Sequence, residues 1–284
     1  MQHRLDAPAV DDFRRDGYLF PVDVLDSDET ADALRRYDQL RFAHGGRLPT
    51  RINQKPHLLY PWMHALVTNP RILDVVEDLL GPDLLCWSSQ FFAKDANDTS
   101  YVSWHQDATY WGLSAPDVVT AWLALTPSTP ENGNMRVIPG THRKQMAHHD
   151  TFAAANLLSR GQEVAVAVDE RQAVDITLRP GQISLHHVLI VHGSEPNPSA
   201  SPRIGFAIRY VPTSVYQTSG VRESATLVRG ADRHGHFDLE PPPESEMHPA
   251  AVARHRAIVE RQLTILYAGA SQAGKRETPT GSPT

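Results

Sequence analysis

His105 and Asp107, in Trp104-His105-Gln106-Asp107, are separated by one residue. On an extended strand, side chains two apart point to the same face, so this pair can grip one ion together. A third ligand has to come from elsewhere in the chain, and His192, in Val191-His192-Gly193-Ser194, is the candidate. Two imidazoles and one carboxylate on one face of a metal leave three coordination positions open. That arrangement suits a non-haem Fe(II) centre, where a bidentate cosubstrate takes two positions and O2 the third.

A His-x-Asp pair is a common accident in a chain with 15 His and 33 acidic residues. Its weight comes from what lies downstream. Arg203 follows His192 by eleven residues and opens the alternating run Arg203-Ile204-Gly205-Phe206-Ala207-Ile208-Arg209-Tyr210. One face of that strand carries Arg203, Gly205 and Ala207, and the bulky residues take the other. An arginine beside small residues leaves room for a ligand, and a guanidinium binds a carboxylate through two parallel hydrogen bonds. The distal carboxylate of 2-oxoglutarate needs such a partner. Arg209 shares the face, but six residues of strand put it ~20 Å away, which separates it from the same ligand.

These residues must be held by a scaffold, and the chain supplies one. Its 284 residues suffice for one large domain with a sizeable core. Residues 1–80 read as mainly helical. Asp28-Glu29-Thr30 precedes a stripe of Ala33, Leu34, Tyr37 and Leu40. Asn69 and Pro70 open a second helix with Ile72, Val75, Val76, Leu79 and Leu80 on one face, stopped by Gly81. Over 83–212, short β-prone runs (Leu84–Ala93, Val118–Leu125, Met135–Ile138, Gln182–His187 and Ile204–Val211) alternate with Pro/Gly turn clusters. Such spacing predicts a sandwich or barrel. An inserted helix and loop is expected over Thr151–Gln172. A last helix is expected from Pro249 to about Ala268, with Val252, Val259, Leu263 and Leu266 on one side. The expected architecture is a single domain over 1–268 followed by a disordered tail over 269–284, rich in Gly, Ser, Thr and Pro.

Composition narrows the function. A net charge of −6 and the absence of a basic run argue against a nucleic-acid partner. No window approaches a membrane span, and the N-terminus lacks the apolar core of a signal peptide. The only cysteine, Cys86, sits in an apolar run and reads as a buried structural thiol. A cytoplasmic protein acting on a small molecule is expected, with room left for a homo-oligomer.

The array of motifs resembles the phytanoyl-CoA dioxygenase family of Fe(II)/2-oxoglutarate oxygenases. The matching stretches are Trp104-His105-Gln106-Asp107, Thr120-Ala121-Trp122, Glu131-Asn132-Gly133, Val137-Ile138-Pro139-Gly140-Thr141-His142, and His192-Gly193-Ser194-x-x-Asn197-x-Ser199-x-x-x-Arg203. Phe13-x-x-x-Gly17-Tyr18 is also similar, and the likeness covers about residues 10–212. It implies a mainly β fold with flanking helices, built on a double-stranded β-helix (a jelly roll of the cupin kind) with the metal at one mouth. It implies His105, Asp107 and His192 as iron ligands, and Arg203, Ser194 and Trp122 around 2-oxoglutarate. Thr120 joins them as a neighbour of Trp122 on the same strand face. The implied reaction uses O2 to hydroxylate a C–H bond, releasing succinate and CO2. Related halogenases carry a small residue at the position of Asp107, so the carboxylate here favours hydroxylation. A desaturase, isomerase or halogenase variant on the same scaffold, or a non-catalytic jelly-roll binding module, are the alternatives.

Several further residues are candidates for contacting the substrate, an amino acid, a phosphonate or a specialised metabolite. Asn53 and His57 lie in a polar stretch between helices, and loops carry function out of proportion to their length. Gln90 precedes the metal motif on its strand, Tyr110 and Trp111 follow it, and His187 stands shortly before His192.

Overall fold

The computed structural model describes residues 4–270. The N-terminal part comprises α1 (Ala7–Asp16), β1 (Tyr18–Asp23), α2 (Ser27–Ala43), α3 (Thr50–Asn53), α4 (Pro61–Val67) and α5 (Pro70–Leu80). The β-rich part follows with β2 (Leu84–Lys94), β3 (Val102–His105), β4 (Val119–Ala124), β5 (Met135–Ile138), β6 (His148–Asp150), β7 (Gln162–Val164) and β8 (Val174–Ile176). It continues with β9 (Gln182–His187), β10 (Val191–Ser194), β11 (Arg203–Pro212), β12 (Ser224–Arg229) and β13 (Asp238–Leu239), and α6 (Pro249–Leu266) closes the fold.

Two sheets face each other. The larger has the order β1-β9-β4-β11-β2-β12-β13 and the smaller β3-β10-β5-β8, with β6-β7 as a separate pair. All pairings are antiparallel except β12 with β13. The result is a mainly β fold with flanking helices, a double-stranded β-helix core. The main core lies on the outer face of the large sheet. Ile204, Phe206, Ile208 and Tyr210 of β11 pack there with Ile72, Val75 and Val76 of α5 and Tyr37 of α2. The alternation of β11 thus sends every bulky residue towards the helices and leaves Arg203, Gly205, Ala207 and Arg209 for the space between the sheets.

Helix ends follow local chemistry. Asp26 caps α2 in a reciprocal capping box with Glu29, and Asn69 caps α5 ahead of Pro70. One expectation needs an addition and two need correction. The mainly helical N-terminal part contains β1, which joins the large sheet beside β9. Thr151–Gln172 holds no α-helix: β7 pairs with β6, and the rest is loop and one short 3-10 turn. In α6 the buried positions are Ala251, His255, Val259, Gln262 and Ile265, shifted from the purely apolar stripe. Two of these are polar because α6 docks on Gln54: His255 bonds its backbone carbonyl and Gln262 accepts from its side-chain amide. Of the expected tail over 269–284, residues 271–284 lie outside the described residues.

Candidate metal centre

His105 ends β3 and His192 stands directly opposite it on β10. Asp107 begins the 3-10 turn after β3. One ligand atom from each of the three lies within 4.8 Å of the others, and all three side chains are buried. The His105 Nδ1 reaches the carbonyls of Ser103 (2.9 Å) and His192 (3.1 Å), and the His192 Nδ1 reaches the Ile190 carbonyl (3.0 Å). A carbonyl only accepts, so each Nδ1 carries the proton and each Nε2 presents a lone pair towards Asp107. Burial alone would push Asp107 up, but its close contact with the His105 ring and the nearby charge of Arg209 hold its carboxyl well below the usual range. Neutral imidazoles and an ionised carboxylate are the protonation states a divalent cation requires.

Gln106, between the two ligands, faces away and fixes the loop. Its amide donates to the Lys144 and Leu189 carbonyls and accepts from Met146 N. The turn motifs are scaffolding. Asn132 bonds Thr129 N and the Pro127 carbonyl, and Thr141 Oγ1 accepts from Val191 N next to His192. Asn197 ties the loop before β11 to the Asp95 and Ser201 carbonyls and to Ser199, which sets where Arg203 enters the sheet.

The pocket between the sheets is lined by the three ligand residues together with Thr120, Trp122, Ser194, Arg203, His186 and Arg209, among others. Arg203 is 2% exposed, its Nε has no hydrogen-bond partner, and its guanidinium carbon stands 5.3 Å from the Trp122 ring centroid. Burial pushes the guanidinium down to about 10, with only the more distant Asp98 opposing. No carboxylate among the described residues pairs with it, so the donor set fits the carboxylate of a bound acid. Lys94 faces Arg203 across the β2–β11 pairing and is tied to Ser194 Oγ (2.7 Å) and to the Gly133 and Glu195 carbonyls. Gly133 has φ 70° and packs on the backbone of Glu195 and Pro196, which lets both carbonyls converge on that one ammonium. Burial, and then the charge of Arg203, lower Lys94 to about 6.

The expected substrate contacts divide. Trp111 borders the pocket region, its ring 4.7 Å from that of Trp87 and 5.0 Å from the Arg209 guanidinium. Gln90 stands opposite Ala207 and on the same strand face as Phe92, which lines the pocket. Tyr110 points away, donating to Asp150 at 2.7 Å beneath the Arg160 guanidinium. Asn53 is a structural clamp: its amide bonds both Phe91 N and Phe91 O at 2.9 Å and fastens α3 to β2. His57 is fully buried and does not line the pocket, bonded to Ser89 Oγ (2.6 Å) and Thr226 Oγ1 (3.2 Å) beside the Lys55–Glu240 pair. His187 turns out of the pocket, accepting from Leu189 N with its ring 5.1 Å from that of His142. Its neighbour His186 takes the inner face, with its ring 4.8 Å from that of His192 and its Nε2 3.9 Å from Asp107. The parity of β9 decides between the two histidines, and only the register with β4 sets that parity. Arg209, separated from Arg203 by strand length in the sequence reading, lines the same pocket.

A buried set of two histidines and one aspartate, between the sheets of a double-stranded β-helix and beside an unpaired arginine, is the donor set of a mononuclear metal site on a cupin-like fold. The family model for phytanoyl-CoA dioxygenase (PhyH) matches residues 13–205, and the chain belongs to that family. Among solved structures, a non-heme monooxygenase, ThoJ, is similar at 38% identity and TM-score 0.81, covering 92% of this chain and 98% of its own. CytC3 with Fe(II) and alpha-ketoglutarate is similar at 26% identity and TM-score 0.64, covering 86% of this chain and 96% of its own. Among curated proteins, the "Probable alpha-ketoglutarate-dependent hypophosphite dioxygenase" of Stutzerimonas stutzeri is 28% identical over 170 residues. That match spans 59% of this chain and 59% of the relative's length.

Proposed function

We propose that this chain is an Fe(II)- and 2-oxoglutarate-dependent dioxygenase that hydroxylates a C–H bond of a small, polar metabolite, with release of succinate and CO2. The observation that carries the reading is a single pocket. It holds three buried ligands with both Nε2 atoms presented, and a buried guanidinium that no protein carboxylate neutralises.

In this reading His105, Asp107 and His192 hold the iron. Bound iron with 2-oxoglutarate supplies the oxidising chemistry that no side chain possesses. The rest is positioning. Arg203 receives the distal carboxylate, Trp122 packs against its guanidinium, and Ser194, held by Lys94, offers a hydroxyl beside it. Thr120 borders the same space. The two sheets keep water from the reacting centre, and the carbonyls behind His105 and His192 keep both rings in the ligating tautomer. Asp107 fills the position that a halide needs in a halogenase, which supports oxygen transfer as the outcome.

Belonging to this family supports a small-molecule substrate. No helix among the described residues is long and apolar enough to cross a membrane. Cys86 is buried and unpaired, in keeping with a cytoplasmic setting.

Anaerobic titration of the protein with Fe(II) and then 2-oxoglutarate tests the proposal. A weak visible charge-transfer band is expected, followed by slow succinate formation in air without added substrate. Metal-loaded protein that gives neither would leave a non-catalytic binding module as the better reading.

A further inference from the structure

Arg209 is the second guanidinium of the pocket. It is 7% exposed, on the same strand face as Arg203, and its Nε is enclosed without a hydrogen-bond partner. No ion pair or hydrogen bond joins it to any of the described residues within 4 Å; the nearby acid it feels is Asp107, which the metal reading already employs. Of the other buried basic side chains, Lys55 pairs with Glu240, Arg160 with Asp150, and Lys94, lowered to about 6, bonds Ser194 and two carbonyls; Arg203 is already assigned to the cosubstrate.

Its surroundings are those of a ligand subsite. The guanidinium carbon lies 5.0 Å from the Trp111 ring and 5.9 Å from that of Phe92. Across the sheet Arg209 stands opposite Thr120, which stands opposite His186. Thr120 Oγ1 and His186 Nδ1 are both buried and also lack partners within the protein. One rung of the sheet therefore presents three polar side chains with unused hydrogen-bonding capacity, all beside the metal ligands.

Charge leads to the same place. Iron(II) and Arg203 bring three positive charges; Asp107 and the 2-oxoglutarate dianion bring three negative ones. Arg209 remains, and an uncompensated buried charge is strongly unfavourable.

We propose that Arg209 anchors a carboxylate of the primary substrate, at the end of the pocket away from Arg203, with Thr120 and His186 completing the subsite. The planar fork of the guanidinium matches a carboxylate edge-on, and Trp111 restrains the fork. The inference rests on the iron and 2-oxoglutarate reading above and adds the chemical class of the substrate group.

The test uses the full chain, anaerobic and loaded with Fe(II) and 2-oxoglutarate, with acetate as the probe and acetamide as its uncharged counterpart. Paramagnetic broadening of the methyl proton resonance by Fe(II) reports binding close to the metal. Saturable broadening of acetate but not acetamide is expected, with acetate affinity at least about tenfold weaker in Arg209→Gln and partly restored in Arg209→Lys. The 2-oxoglutarate titration of the visible band stays unchanged in Arg209→Gln, which also shows that the variant is folded. A 2-oxoglutarate affinity lowered in Arg209→Gln as it is in Arg203→Gln would assign Arg209 to the cosubstrate and overturn the proposal. So would acetate broadening that is absent in wild type or indifferent to Arg209→Gln. Absence of the visible band in wild type would instead defeat the underlying reading, a result distinguishable from either.

Discussion

The indole of Trp122 fills the space that a Cβ on Gly205 would need: atoms of its six-membered ring stand well inside van der Waals contact of that position. Trp122 is paired with Ala207, the next residue on that face of β11, and its ring stands beside the Arg203 guanidinium. Glycine at 205 therefore allows the indole to lie down against the strand and border the cosubstrate pocket. Gly205→Ala must displace the ring. Overpacking of this kind costs about 1–3 kcal/mol, so a lowered melting temperature is expected, together with weaker 2-oxoglutarate binding. Calorimetry and titration of the visible band measure the two effects separately.

Removal of either imidazole ligand, by His105→Ala or His192→Ala, is expected to abolish the visible band while leaving the fold largely intact. The triad lines the pocket between the sheets rather than the main apolar core. Equilibrium dialysis with Fe(II) and circular dichroism check both halves of that expectation.

Arg203→Gln keeps a hydrogen-bonding amide but removes the charge and the fork. A hydrogen bond to a charged group contributes about 1.5–3 kcal/mol, so 2-oxoglutarate affinity should fall by roughly ten- to hundredfold. Fe(II) affinity should not change. If both fell together, Arg203 would be acting on the site through the fold.

Lys55 and Glu240 form an ion pair at 2.6 Å with both side chains 1% exposed, and Lys55 also donates to the Ser224 carbonyl. Breaking a buried pair by deleting one partner costs about 3–5 kcal/mol. Lys55→Met is thus expected to lower stability markedly and to leave the 2-oxoglutarate titration of the surviving folded protein unchanged. A selective loss of cosubstrate binding would return the 51–57 stretch to the pocket.

Stability should fall on mild acidification. Burial, and then the charge of His142, push His187 down to about 4. Between that value and the ordinary ~6.5 the unfolded chain binds a proton that the folded chain does not, so stability declines as pH drops through this window. Glu240 acts lower. Burial opposes its ionisation, but Lys55 and His57 outweigh it and hold the carboxyl at about 2. Its contribution is complete above ~4.5 and is lost as pH falls towards 2. Other buried histidines, His186 and His57 among them, are lowered too, so His187→Gln should make the melting-temperature profile shallower between pH 6.5 and 4 and leave the lower limb in place.

Much of the scaffold was legible because it is written in local patterns. Asn69-Pro70 and Gly81 delimit α5 by capping chemistry, and strands β5 and β9 fall on the predicted residues because alternation and turn clusters are short-range signals. Residues 151–172 misled, since a short hairpin pairing carries no periodicity of its own. In α6 the sequence suggests a purely apolar stripe, whereas part of the docking surface is the polar backbone and side chain of Gln54, which histidine and glutamine satisfy.

The candidate site divides in the same way. The sequence by itself determined the types of residue and their spacing: His105 with Asp107, a later histidine, and an arginine at the head of a strand whose alternate positions are small. Those are properties of one strand at a time. Only the tertiary structure decided that His192 stands opposite His105, that His186 and not His187 faces the pocket, and that Asn53 and His57 belong to the frame. It alone brought Arg209 to the pocket that Arg203 also lines. Register and sheet facing are set by pairings between residues far apart in the chain, and a shift of one residue would reverse every one of these assignments.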